Sequence, residues 1–382
     1  MKNIISLMLI SLTAAALSVS AQQTDMSGID KDTITNFSTY KRSIGFSGLL
    51  QTRYVGSLTK NVNINGKNFD DKVDNKITNN FVLKRVRFQV KGTVNDHFSA
   101  NLMFNFAEFS SNPANKVLEN AYVKYTLNKY FNLQAGQFRP FFGIEDSMPV
   151  DIIRTLDYSN QYYAFGASGW QSFQLGLSLF GDLTKDGQLK YYAGVYNGNN
   201  RNQPSDDDNA KNFYGRIETH LTKKLIVGFN GAYGSMGKGS GDAWGADIVA
   251  TGKLGADWQL SLGGEYKNGT NLALFNTYTA NIPSLSQVRM QGFYVFPILR
   301  YSYNLPRLRA IEFSSRYEYF NQNYKLDNNI RQTIIPNLSL VFADDYYASI
   351  QMGVSIDLYK KELPLTTTYS SNLAYLQLQV RF

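Results

Sequence analysis

The sequence predicts an all-β protein, a transmembrane antiparallel β-barrel of about sixteen strands with long external loops and short periplasmic turns. Three observations predict it. Apolar and polar residues alternate with a period of two through most of the chain; the connections between these runs alternate short and long; and the last run ends in an aromatic, Phe382. Composition agrees, with 26 Tyr, 25 Phe and 30 Gly among 382 residues. The mean hydropathy is −0.29, and a barrel hides its apolar face in alternation that such averages barely register.

The chain opens with MKNIISLMLISLTAAALSVSA, residues 1–21. Lys2, an apolar core from Ile4 to Leu17 and the small-residue ending Val19-Ser20-Ala21 form the pattern of a cleavable secretory signal peptide. Loss of Lys2 takes the net charge from +8 to 8 − 1 = +7. There is no cysteine, which excludes disulfides, thiol chemistry, Cys-based metal sites and a lipid-modified N-terminal Cys. Residues 22–44 lack periodicity and read as a flexible lead-in, with the barrel expected over 45–382.

In GFSGLLQTRYVG, Phe46, Leu50 and Tyr54 share one parity, and Ser47, Gln51 and Arg53 take the other, as in a strand with unlike faces. In VLKRVRFQVKG, Val82, Val86, Phe88 and Val90 oppose Arg85, Arg87, Gln89 and Lys91. Lys84 breaks the apolar parity and is expected near a membrane interface, where its stem snorkels. FSANLMFNFA alternates in the same way. Further runs follow at AYVKYTL, NLQAGQF, SFQLGLSLF, LKYYAGVY, NFYGRIETHL, LIVGFNGAY, WGADIVATG, WQLSLGGEY, QGFYVFPILRYSY, LRAIEFSSRYEYF, IIPNLSLVF, YASIQMGVSIDLY and NLAYLQLQVRF.

Short connections fall at TVND, LNKY, DLTKDG, TKK, KLGAD, NLPR and ADD, and long ones lie between them. A soluble sandwich has no reason to keep every second loop short, whereas a barrel threading a membrane does. With Phe382 at the periplasmic end, every long loop falls outside. Leu376, Leu378 and Val380 then face lipid, and Tyr375, Gln377, Gln379 and Arg381 face inward. This ending resembles the terminal signal read by the barrel assembly machinery of the outer membrane, with Phe382 as its last residue.

The longest irregular stretch runs over 139–167, RPFFGIEDSMPVDIIRTLDYSNQYYAFGA, and is the third external loop. Its prolines, aromatics and mixed charges suit neither strand nor helix, and a loop of this length is usually functional or disordered. Arg139, Glu145, Asp146, Asp151, Arg154 and Asp157 are its candidate constriction residues, and an inward plug and an outer lid are equally open to it.

Catalysis finds no support. His97 and His220 are the only histidines, both at periplasmic ends, and no HExxH, GxSxG or phosphate-loop motif occurs. No catalytic residue, metal site, cofactor or nucleic-acid partner is expected. Asp206, Asp207 and Asp208 lack a calcium-loop pattern and read as a solvated external loop.

The inward parity is more informative. Arg53, Arg85, Arg87, Lys91 and Lys124 fall on it in the first four strands, with no acid inside those strand cores. Arg216 and Arg316 follow in a later, mixed half that also carries Glu218, Asp247, Glu265, Glu312, Glu318 and Asp357. Rows of Arg and Lys along a bore favour anions; cross-strand pairing that merely keeps the wall polar is the alternative for each residue.

The runs LKRVRFQVKG, ENAYVKYTLNKYFNLQAGQFRPFFGIED and YYAGVYNGNN resemble the phosphate-selective porin O/P family of Gram-negative outer membranes, most sharply from Leu83 to Asn199. The resemblance implies a sixteen-stranded trimeric barrel in outer-membrane lipid. It also implies that residues 139–167 fold inward as a constriction and that Arg85 and Arg87 join a basic channel wall. Selective members have a constriction dominated by Lys and Arg, whereas this loop carries two Arg against four acids, 2 − 4 = −2. The expectation is a passive outer-membrane porin for small hydrophilic solutes with a preference for anions. The rival is a non-transporting barrel that serves binding, adhesion or structure.

Overall fold

A computed structural model describes residues 42–69, 78–110, 117–148, 153–203, 206, 209–235, 239–303, 305–343 and 347–382. Sixteen strands follow one another: β1 Ser43–Ser57, β2 Asn79–Thr93, β3 Phe98–Asn105, β4 Leu118–Asn128, β5 Phe131–Phe138 and β6 Gln174–Asp182. Next come β7 Leu189–Tyr196, β8 Asn212–Thr222, β9 Leu225–Ser235, β10 Ser240–Lys253 and β11 Trp258–Thr270. The last five are β12 Arg289–Ser302, β13 Ala310–Asn321, β14 Ile330–Val341, β15 Ala348–Tyr359 and β16 Ser371–Arg381. Each pairs antiparallel with its sequence neighbours, and β1 pairs with β16, so the barrel is closed. Each run expected as a strand contains one; β1 begins slightly earlier than Gly45, and FSANLMFNFA is strand only to Asn105, with Phe106 and Ala107 in a short 3-10 helix.

Closure leaves no unpaired edge, which is how a sheet satisfies its backbone inside a bilayer. At the seam, Gln51 faces Gln379 and Arg53 faces Gln377. Backbone bonds between Gly48 and Phe382 extend the pairing to the last residue. The Phe382 ring lies against Gly48, where a Cβ would meet it at 2.3 Å.

The barrel is polar inside and apolar outside. Leu50, Phe88, Leu102, Leu177, Phe229, Phe313 and Leu378 are exposed, while Gln51, Gln134, Ser178, Glu265, Arg316 and Gln377 are buried. A soluble sandwich would show the reverse. The exposed belt identifies the outer face as the lipid face.

Two bulges change the inward set. In the β1–β2 ladder Gln51 faces Arg85 and Thr52 faces Leu83, leaving Lys84 as the extra residue. Lys84 therefore turns into the bore beside Arg85 and does not snorkel at an interface. Phe81 and Leu83 face out, and Val82 lies on the inner parity opposite Arg53. In the β3–β4 ladder Met103 faces Asn120 and Phe104 faces Leu118, so Glu119 is the extra residue. It is buried and pairs with Arg87 at 2.7 Å. The first four strands thus do carry an inward acid, because β4 starts at Leu118 and its bulge turns Glu119 inward.

Candidate functional site: the inward third loop and its two cavities

Between β5 and β6 the chain turns into the barrel. Its described parts, up to Met148 and from Ile153, contain two short helices, α1 Ile144–Ser147 and α2 Asn160–Ala167. Ser159 caps α2 by accepting from the Tyr162 N–H, and it donates its own hydroxyl to Glu145 at 2.5 Å. Glu145 also accepts from the Ser159 N–H, so one carboxylate ties the two halves of the loop together. Burial pushes the Glu145 carboxyl up, against the opposing pull of Lys267 and Arg316.

The loop reaches the far wall. Ser314 on β13 and Asn337 on β14 donate to the Arg154 carbonyl at 2.6 and 2.9 Å, and Gln351 on β15 donates to the Ile153 carbonyl at 3.0 Å. Arg316 donates to Thr155 Oγ1 at 2.7 Å and to the carbonyls of Asp157 and Tyr158. On the near side an apolar cluster of Phe138, Phe142, Phe165, Trp170, Tyr214 and Leu272 joins loop to wall. The Trp170 Nε1–H donates to the Thr270 carbonyl at 2.8 Å. A loop hydrogen-bonded to strands on both sides of a closed barrel crosses its bore.

Asp157 is the hub. Its carboxylate meets Arg53 at 2.7 Å, Arg85 at 3.0 Å and Lys84 at 3.2 Å, all from β1 and β2. Burial alone would raise the Asp157 carboxyl, but Arg53, Lys84 and Arg85 outweigh it and hold it well below the usual carboxylate range.

Gly143 supplies the entry corner. Its φ is +104°, and a Cβ would lie 1.8 Å from Glu265 Oε1, which accepts from the Ile144 N–H at 3.1 Å and pairs with buried Lys267 at 3.0 Å. A side chain fits there neither in conformation nor in space.

Two cavities flank the loop and share no lining residue. The one on the long-loop side, about 290 Å³, is bordered by Asp157, Tyr163, Arg316, Glu318, Arg331 and Asp357, so its charge is mixed. The other, about 760 Å³, opens towards the short turns, where Gly45, Tyr347 and Arg381 lie. Arg87, Lys91, Lys124, Arg139 and Arg381 line it with one carboxyl, Asp146. Burial pushes the Asp146 carboxyl up to about 7, against the opposing pull of Lys267.

The candidate residues therefore fall into distinct sets. Arg53 and Arg85 are bound to Asp157, and Arg316 to the loop backbone. Arg216 is buried and paired with Asp247 and Glu218. Arg87 and Lys124 border the larger cavity. Within the loop, Arg139 donates to the Tyr158 hydroxyl at 2.7 Å and stacks on Phe173, while Arg154 lies 3.7 Å from Glu312. Glu145, Asp146 and Asp157 hold the loop together or to the wall. Asp151 lies outside the described residues, as do Asp207 and Asp208. Sequence reasoning missed Lys84 and Glu119; the one trace in β2 is a switch of apolar parity, from Phe81 and Leu83 to Val86 and Phe88, whose meaning only the pairing with β1 reveals.

A closed sixteen-stranded barrel with an apolar outside, a polar inside and an inwardly folded third loop defines a porin-type outer-membrane barrel. Residues 57–220 match the family model described as phosphate-selective porin O and P, so the resemblance carried by the sequence motifs is borne out. Among solved structures, the chain is similar to an anion-selective porin from Comamonas acidovorans (11% identity, 90% of this chain and 100% of that one, TM-score 0.59). It is also similar to the outer-membrane channel DcaP of Acinetobacter baumannii (13%, 89% and 97%, TM-score 0.55). A third likeness is to a trimer form of OmpT from Vibrio cholerae (13%, 89% and 99%, TM-score 0.52). At such identities the likeness establishes the fold. No curated protein sequence matches.

Proposed function

We propose that this barrel is a passive outer-membrane porin that admits small hydrophilic solutes with a preference for anions and works as a homotrimer. The observation that carries the reading is the third loop, held across a polar-walled bore by groups on both sides. The cavity on the short-turn side supports the anion preference: with Arg87 paired to Glu119, it still sets Lys91, Lys124, Arg139 and Arg381 against one carboxyl. The acid-rich composition of the loop does not oppose it, because Glu145 and Asp157 are engaged by Ser159 and by three cations. Both histidines sit at short-turn ends, where His97 lies against the Thr126 carbonyl and His220 against Glu218, which supports a channel over an enzyme. The trimeric relative from Vibrio cholerae supports the assembly.

Folded protein in a planar bilayer tests this directly. Open channels with a reversal potential on the anion side are expected in a potassium chloride gradient. Folded protein without conductance would instead favour a barrel that binds or adheres, and cation selectivity would remove the anion preference.

A further inference from the structure

The lumen wall departs from polar-inward alternation across three neighbouring strands, β4 to β6. On β4, β5 and β6 the inward parity that includes Lys124, Gln134 and Ser178 also carries Tyr122, Phe138 and Phe180. Phe141 comes from the loop to join them, 5.4 Å from Phe180 and 4.4 Å from Tyr192 between ring centroids. Phe180 and Phe141 are only half-buried and face the larger cavity. Aromatic surface left towards an aqueous bore forgoes about 25 cal/mol per Å² of burial, a deficit that an apolar occupant removes.

Charge is placed beside these rings. Lys124 Nζ lies 5.3 Å from the Phe180 centroid, and neither Lys124 nor Lys91 has a carboxylate within salt-bridge distance among the described residues. Arg87, by contrast, is neutralised by Glu119. Arg381, over the ring of Tyr347 at 4.7 Å, stands at the cavity mouth. Rings backed by cations match a ligand that is itself an aromatic ring bearing an anionic group. The ring stacks on Phe141 and Phe180, and the anion meets Lys124 and Lys91.

We infer that the cavity between the third loop and the short turns is a binding subsite for aromatic carboxylates, built by Phe141, Phe180, Lys91 and Lys124. The inference rests on the porin reading and names a solute class for it. A small inorganic anion uses the lysines alone and gains nothing from the rings, so the two halves of the site separate experimentally.

Benzoate and acetate carry the same charge and differ in the ring. In planar bilayers benzoate is expected to block chloride current at a concentration about tenfold below acetate, the size of one good aromatic contact. Addition from the short-turn side should act more strongly. Phe180→Ser, and separately the loop variant Phe141→Ser, should bring benzoate down to the acetate level, whereas Lys124→Gln should weaken both. Heat-modifiable migration confirms that each variant is folded, and two rings on different elements guard against a variant that fails to fold. Equal block by benzoate and acetate, or a benzoate preference that survives both ring substitutions, overturns the subsite. If the protein forms no channels, equilibrium dialysis of radiolabelled benzoate against the detergent-folded protein still decides it: retention supports the subsite while the porin reading fails.

Discussion

Replacing Asp157 by Asn tests whether ion pairing holds the third loop across the bore. The substitution keeps the size of the side chain and removes one negative charge from among Arg53, Lys84 and Arg85, so the local balance goes from 3 − 1 = +2 to +3. Breaking a buried ion pair costs about 3–5 kcal/mol. Asp157 is 21% exposed, so water screens part of that, and about 2–3 kcal/mol is the appropriate scale. That is about 30- to 150-fold in the equilibrium between a docked and an undocked loop tip. The barrel should stay folded, because Ser314, Asn337, Gln351 and Trp170 hold the rest of the loop and the strand ladder is untouched. Single-channel recording should show added current noise from the released tip, and reversal potentials should move further to the anion side. Acid should not imitate the substitution at pH 4. A depressed carboxyl contributes stability that is present above its ordinary value and lost only as pH falls through the depressed one. Quiet channels with unchanged selectivity in Asp157→Asn would refute the reasoning.

Two further outcomes follow from the same geometry. Gly143→Ala places a methyl group on Glu265 at a positive φ, which should loosen the loop entry by about 1–3 kcal/mol; limited proteolysis within 139–167 should accelerate while heat-modifiable migration persists. Asp146, with its carboxyl raised to about 7, favours the protonated form when folded. Its stabilising contribution is complete below the ordinary carboxylate value and is lost as pH rises through 7, where a negative charge appears in the larger cavity. Anion preference should therefore fall between pH 6 and 8, and Asp146→Asn should flatten that dependence.

Strands, their order and the lipid face were legible because each follows from local rules: period-two alternation gives the faces, and alternating loop length gives the direction of threading. Phe382 could be placed in phase with Leu376 and Leu378 without knowledge of its partner β1. Lys84 and Glu119 were not legible, since a bulge is a property of two paired strands and a one-residue slip moves a side chain to the other face. The loop shows the same limit. Its mixed composition reads as −2, yet Asp157 answers cations on β1 and β2, and Glu145 answers Ser159 within the loop itself. Alone, then, the sequence determined a closed polar-lined barrel, because backbone pairing and amphipathic alternation are properties of neighbouring residues. Only the tertiary structure decided that the third loop turns inward and which charges face the bore, because those outcomes depend on contacts between residues more than a hundred positions apart, such as Arg53 with Asp157 and Gln351 with Ile153.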